Sequence, residues 1–477
     1  MVSKFFYAFS IFILLVGINK PTASSASTIT GSPKGLNKVA QQDPNDSLTS
    51  AEALKLIIQA KKDKSKSLTL SNLFQTVPKE LWQLTQLETL DLSGYRLPLL
   101  PDSFGSLTNL KSLVLNETNL DALPNSFGQL INLTELDLEN SAKLPEIPLL
   151  TKKLTKLRIL DLSFLRAETL PYSINNLKSI KEIGINKSEI THFPESFGDL
   201  ENLEALYGGK AFSLASLPKS FGRLKKLKTL VLFLTEIKTL PDNFGELQSL
   251  RYLSLHANDI HSLPPSFVNL HLDTLDLGSC PLSALPANFG NLRVKYLDLN
   301  VTNLTTLPES FGNIENLEEL NISKSQLKEL PQSFSNLKHL KILKLYNNKL
   351  KDLPSSFNQL TELESLELHI NEFRAVPPSL CSLVNLKYLD LGNNNISALP
   401  ACLGDYQKLE YLSLFNNNFT SFPPIIAQLP QLQTLDFRKN QLTTFPKSIK
   451  TMKKLKNTWL DGNQIKGLEE VYINKEE

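Results

Sequence analysis

The chain has 477 residues, with 50 Lys and Arg against 48 Asp and Glu, a formal net charge of +2. No strong field of either sign can steer nucleic acid or a membrane surface, so neither is expected as a partner. Three cysteines do not make a disulfide framework, and the six histidines (His192, His256, His261, His271, His339 and His369) stand at no convincing metal-ligand spacing.

The N-terminus reads MVSKFFYAFSIFILLVGINKPTASSAS. Lys4 supplies a charged start. Phe5 to Ile18 is apolar but shorter than the ~20 residues of a membrane span. Ser24-Ser25-Ala26 gives a small-residue cleavage site, so residues 1–26 read as a secretory signal peptide. An uncleaved anchor is the alternative. Residues 27–48, rich in Ser, Thr, Pro, Gly, Asn and Gln, read as a flexible leader. Thr49-Ser50-Ala51-Glu52 is a capping box, and Ala53, Leu54, Ile57 and Ile58 give an apolar helical face. Residues 49–66 are therefore expected to hold a capping helix, ending near Lys62, that covers the first strand, Leu68–Leu70.

From residue 67 to 466 a unit of about twenty-three residues repeats, marked by prolines from Pro78 through Pro101, Pro194 and Pro308 to Pro446. Such a period means a solenoid, which is usually a surface for binding rather than a pocket for chemistry. Within each unit Leu389-Asp390-Leu391 and its counterparts alternate, which predicts one short strand per repeat with leucines inward. A return segment P-x-S-F-G-x-L follows, as at Pro101–Leu107 and Pro194–Leu200. It is too short for a full helix and predicts single helical or 3₁₀ turns. Residues 467–477 read as a short C-terminal cap or tail.

Leu386 to Pro400, LKYLDLGNNNISALP, carries the pattern L-x-x-L-x-L-x-x-N-x-L and resembles the leucine-rich repeat family. The L-P-x-S-F-G form is similar to the Shoc/Ras-suppressor type and to plant disease-resistance-like and bacterial repeats. The resemblance implies an α/β solenoid of about 17–18 turns, a curved horseshoe with a parallel β-sheet on its concave face and short turns on its convex face. It also implies a non-catalytic scaffold that binds protein partners on the concave side. At ~4.8 Å per strand the sheet would run on the order of 80 Å.

Two internal ladders are expected. Asn258, Asn348, Asn371, Asn394, Asn417, Asn440 and Asn463 occupy the slot after the strand, where a side-chain amide can both donate to and accept from buried backbone groups. Thr118, Ser141, Ser188, Thr235, Cys280, Thr302 and Ser325 fill it elsewhere, while Tyr95, Leu165 and Ala211 break it and predict local distortion. Phenylalanines from Phe104 to Phe357 recur at one register and predict an aromatic spine. Cys381 and Cys402 fall in adjacent repeats, where an oxidising compartment would allow a bridge.

Binding is expected on the outward strand positions. Asp91, Asp137, Asp161, Asp276, Asp298, Asp390 and Asp436 recur at the middle position and read as solvating filler. Tyr207, Val231, Phe233, Tyr252 and His256 come from three consecutive repeats and form the first candidate patch, next to an irregular repeat in which Gly208 replaces an inward leucine. Tyr346, His369, Tyr388, Tyr411 and Phe415 form the second, with Tyr296 and Trp459 more isolated. Asp276, Asp298 and Glu319 lie between, a layout that suits a basic strip flanked by apolar groups. No H-E-x-x-H, G-x-S-x-G or Walker-type loop is present, and Cys402 sits at a structural register, so no enzyme, cofactor or metal is expected. The reading is an exported, monomeric protein-binding scaffold. A surface adhesion or glycan-binding module is an alternative, as is a cytoplasmic signalling scaffold if the N-terminus is misread.

Overall fold

The computed structural model describes residues 49–71, 77–94, 99–118, 120–141, 153–444 and 447–465. The segments read as signal peptide, leader and C-terminal tail (1–26, 27–48 and 467–477), together with Tyr95 and Pro446, lie outside them. Helix α1 (Ser50–Lys62) opens the described chain behind a capping box, with the Glu52 N–H donating to Thr49 Oγ1 at 3.3 Å and the Thr49 N–H to Glu52 Oε2 at 2.8 Å. Its buried stripe is Ala53, Ile57 and Ala60. Leu54 is half-buried and Ile58 is 56% exposed, which corrects the expected face. Residue 58 lies about 100° around the helix from residue 57, off a stripe already set by positions four and three apart.

Eighteen three-residue strands follow among the described residues, β1 (Ser67–Thr69) to β18 (Asn457–Trp459). Among the described residues each pairs in parallel with its neighbours in sequence. The register sets leucine against leucine: Leu275 of β10 (Thr274–Asp276) lies between Leu253 and Leu297. One-residue slips would turn these side chains to solvent, so burial fixes the register.

The return path forms 3₁₀ turns of three to five residues, such as Asp102–Ser106 and Glu309–Asn313. Proline precedes most of them at an extended backbone, and its carbonyl accepts the phenylalanine N–H three residues on, as from Phe311 to Pro308 at 2.9 Å. The ring then enters the core. Phe289, Phe311, Phe334 and Phe357 stack with centroids 5.9–6.1 Å apart, and Phe197, Phe221, Phe244 and Phe267 with centroids 5.9–6.3 Å apart. The glycine after the phenylalanine is required by close approach: a Cβ on Gly245 would collide with the Ser266 carbonyl oxygen of the next coil.

After Phe357 the same register holds Leu380, Leu403, Ile426 and Ile449. A disulfide, Cys381–Cys402, joins the two coils where the aromatic spine stops, with Cα atoms 5.4 Å apart. Tyr406, fully buried beside it, donates its hydroxyl to the Leu380 carbonyl at 2.5 Å. The remaining cysteine, Cys280, is a buried free thiol whose Sγ donates to the Leu255 carbonyl at 3.2 Å; burial pushes its pKa up to about 12. A thiol so far from ionising serves the slot and not nucleophilic chemistry.

The asparagine slot stitches coil to coil. Asn371 Nδ2 donates to Leu345 O of the preceding coil and Leu368 O of its own, each at 3.0 Å, while its Oδ1 accepts the Leu350 N–H at 3.0 Å. Asn258, Asn348, Asn394, Asn417, Asn440 and Asn463 repeat the two donations, each with Oδ1 accepting a backbone N–H from the preceding coil. Hydroxyls do less: Thr302 Oγ1 reaches Leu299 O at 3.0 Å and Ser325 Oγ at 2.9 Å. Leu165 and Ala211 do not distort the turn. Their N–H groups donate to Leu162 O and Gly208 O as in other coils, and both side chains are buried. The effect falls on the polar ladder instead. Ser188, in the coil between them, has a buried hydroxyl with no hydrogen-bond partner among the described residues.

Candidate functional site

The strands present three outward rows: the residue before the first inward leucine, the residue between the two, and the residue after the second. Just below the first row runs a charge ladder. Glu88 is held by Lys111 at 2.6 Å and Lys66 at 2.7 Å; Glu204 by Lys181 at 2.6 Å and Lys228 at 2.7 Å. Those paired hydrogen bonds lower both carboxyls to about 2. The ladder neutralises itself and adds little stability at a surface.

The middle row is acidic for a local reason. The carboxylates of Asp91, Asp137, Asp161, Asp276, Asp298, Asp390 and Asp436 each accept the backbone N–H two residues on, at 2.8–3.1 Å. Each strand ends after three residues, and this bond satisfies an N–H at its end. These aspartates are therefore more than solvating filler. Glu367 extends the row, and Lys344, also in it, lies 3.8 Å from Glu319 of the first row. The rows also bring oxygens of Asp137, Glu139 and Asp161 within 4.8 Å of one another.

Burial, reinforced by Asp276, raises Asp298 to about 6, against hydrogen bonds from Asn300 and Asn321. The hydrogen bond with Asp276, at 3.3 Å, raises His256 above its ordinary value. Both groups hold protons more tightly folded than unfolded, so stability rises as pH falls. The gain from His256 begins above pH 6.5 and that from Asp298 develops from about pH 6 down to 4. Asp298→Asn should flatten the pH 4–6 part by roughly 2 kcal/mol, read from urea midpoints at pH 4.5 and 7. An unchanged pH profile would show that Asp298 titrates normally.

The first aromatic patch falls on three consecutive strands of one face. Tyr207 of β7 (Ala205–Tyr207) pairs in register with Val231 of β8 (Thr229–Val231) in the middle row. Phe233 and His256 follow in the third row, and Phe233 lies across Gly209, where a Cβ would strike its ring. Gly209 is thus the space that admits Phe233. Tyr252 stands in the first row of β9 (Tyr252–Ser254), on the same face but at its other edge. All five side chains are half-buried.

The second patch divides. Tyr346 and His369 stack at 4.4 Å in the third row, and His369 Nδ1 lies 3.2 Å from Asp390 Oδ2 without hydrogen-bond geometry. Tyr388 and Tyr411 stack at 4.2 Å in the first row. Phe415 belongs to a third group. The Arg438 guanidinium sits 5.3 Å from its ring and 5.2 Å from that of Trp459, and grips Asp436 through Nε at 2.9 Å and Nη2 at 2.6 Å. Trp459 is therefore not isolated. Arg438 was missed because a single arginine in a row of mixed residues gives no sequence signal until the fold sets it between two rings.

The sequence profile of the leucine-rich repeat region family matches residues 238–322, 290–376 and 374–470. The structure is similar to that of a leucine-rich repeat protein of Leptospira interrogans, with 31% identity and a TM-score of 0.69, over 83% of this chain and 96% of that one. The chain belongs to the leucine-rich repeat family. This repeat protein is also similar to the plant peptide hormone receptor RGFR1, solved in complex with RGF2: 29% identity, TM-score 0.67, 84% of this chain and 67% of that one. The fold is shared with a TDR receptor at 24% identity and TM-score 0.63, over 88% and 80% of the two chains. No curated protein matches the sequence. Among the described residues no helix is long and apolar enough to cross a membrane.

Proposed function

We propose that this leucine-rich repeat protein is a non-catalytic, exported scaffold that binds a protein partner on its concave sheet face. The observation that carries the reading is the run of half-buried aromatics on outward strand positions, Tyr207, Phe233 and Tyr252 at one end and Tyr346, Tyr388, Tyr411 and Phe415 at the other. Fold maintenance asks only for small or polar residues there, and aromatic anchors dominate interface energies. Peptide-hormone binding by a receptor of 29% identity supports a peptide or protein ligand for this repeat architecture. The Cys381–Cys402 bridge supports export, because such bonds persist in oxidising compartments. Tyr388 and Tyr411 each cover one face of the other, which leaves less ring surface for sugars and favours the protein-binding reading over a glycan module.

Phe233→Ala together with Tyr252→Ala tests this. Affinity capture of the natural partner, from medium and cell envelope, should weaken by at least about tenfold, roughly 1.4 kcal/mol. The melting temperature should stay nearly unchanged, since both side chains lie on the outer face. Capture at full strength would remove this patch from the binding surface.

A further inference from the structure

The residue just before the slot adopts a left-handed backbone in every described coil from β2 (Thr89–Asp91) onward, with φ between 50° and 73°. Asn140, Asn347, Asn393, Asn416, Gly94 and Gly462 suit that conformation. Leu234, Val301 and Ile370 do not, and for the β-branched pair it is a clear steric outlier. Burial does not compensate them: they are 37%, 44% and 42% exposed. Nor do they support one another, because their neighbours along the row are Lys210 and Ala257, Ser279 and Lys324, and Asn347 and Asn393. Strained apolar residues held in solvent, where asparagine would serve the fold better, point to contact with something outside the chain.

Their spacing is regular. Leu234 follows β8, Val301 follows β11 (Tyr296–Asp298) and Ile370 follows β14 (Ser365–Glu367), so three coils separate each from the next. At ~4.8 Å per strand that is about 14 Å, close to four residues of extended chain at ~3.3 Å each. On the same face, in the middle row, lie Asp276, Asp298, Glu367 and Asp390, with Lys344 the one cation of that row between β10 and β15 (Tyr388–Asp390).

Resting on the concave-face reading above, we propose that Leu234, Val301 and Ile370 form an apolar rim that seats an extended, basic segment of the partner. That segment runs along the solenoid with apolar side chains about four residues apart, while its Lys or Arg residues meet the acidic row. The rim sets spacing and the carboxylates set charge, so recognition is salt-sensitive.

The test selects displayed random peptides of about sixteen residues, longer than an extended chain needs to reach from Leu234 to Ile370, on the full chain. The comparison is with V301N/I370N. The expected result is enrichment of Lys- or Arg-bearing peptides with apolar residues at fourth positions, bound about tenfold more weakly by V301N/I370N. The same variant should melt at a higher temperature than the parent, an outcome that a purely structural role for these side chains would reverse. Enriched peptides that lack basic residues, or that bind V301N/I370N as tightly as the parent, would overturn the inference and leave the scaffold reading standing. Selection of no peptide would overturn it equally. Binding unaffected by both V301N/I370N and the Phe233/Tyr252 alanine pair would place the contact off the sheet face and remove both.

Discussion

Replacing Phe311 by alanine should lower the stability of its region by about 3–5 kcal/mol. The ring is fully buried, 5.9 Å from Phe289 on one side and 6.0 Å from Phe334 on the other. Its loss removes apolar burial and leaves a cavity that cannot easily close, because strand register fixes the spacing of the coils on either side. A stack of repeats responds locally, so the urea transition should broaden or split, with hydrogen exchange rising first in residues 290–335. Phe311→Leu should cost much less, since Leu380 and Leu403 fill the same register further along. A loss under about 1 kcal/mol for the alanine variant would mean that the spine is not packed as described.

Asn394→Ala should cost about 2–4 kcal/mol, the sum of several buried backbone groups left without partners. The amide donates to Leu368 O at 3.1 Å and Leu391 O at 3.0 Å and accepts the Phe373 N–H at 3.1 Å. Alanine removes these bonds, together with a donation to Gly392 O at 3.1 Å, and adds no apolar contact that compensates. Asn394→Ser should recover part of the loss, because Thr302 and Ser325 show a hydroxyl serving this slot through fewer bonds. Equilibrium unfolding of the two variants measures the difference. Equal stability of alanine and asparagine would show that water satisfies those groups without the side chain.

The solenoid was legible because its determinants are local and repeated. Proline before each turn, phenylalanine at one register and leucine at alternate strand positions each act within a single coil, and repetition makes them visible. Contacts across coils were less legible. Helical spacing allows a stripe through either Ile57 or Ile58, and packing against the first coil selects Ala53, Ile57 and Ala60. Leu165 and Ala211 kept the turn geometry because backbone bonds form it, and the cost moved to the Ser188 hydroxyl one coil away. Phe415, Arg438 and Trp459 lie in three successive coils, and only strand pairing reveals that they meet. The apolar rim was hidden for another reason: Val301 and Ile370 look ordinary until the backbone angle beneath them is known.

Tyrosine modification compared with and without the captured partner tests the central claim most directly. Tyr388 and Tyr411 sit half-buried on the sheet face, whereas Tyr172, on a 3₁₀ turn at the opposite side, is 70% exposed. Bound partner should slow labelling of the sheet-face pair and leave Tyr172 as reactive as before. Protection of Tyr172 with no change at Tyr388 and Tyr411 would contradict a ligand face on the sheet.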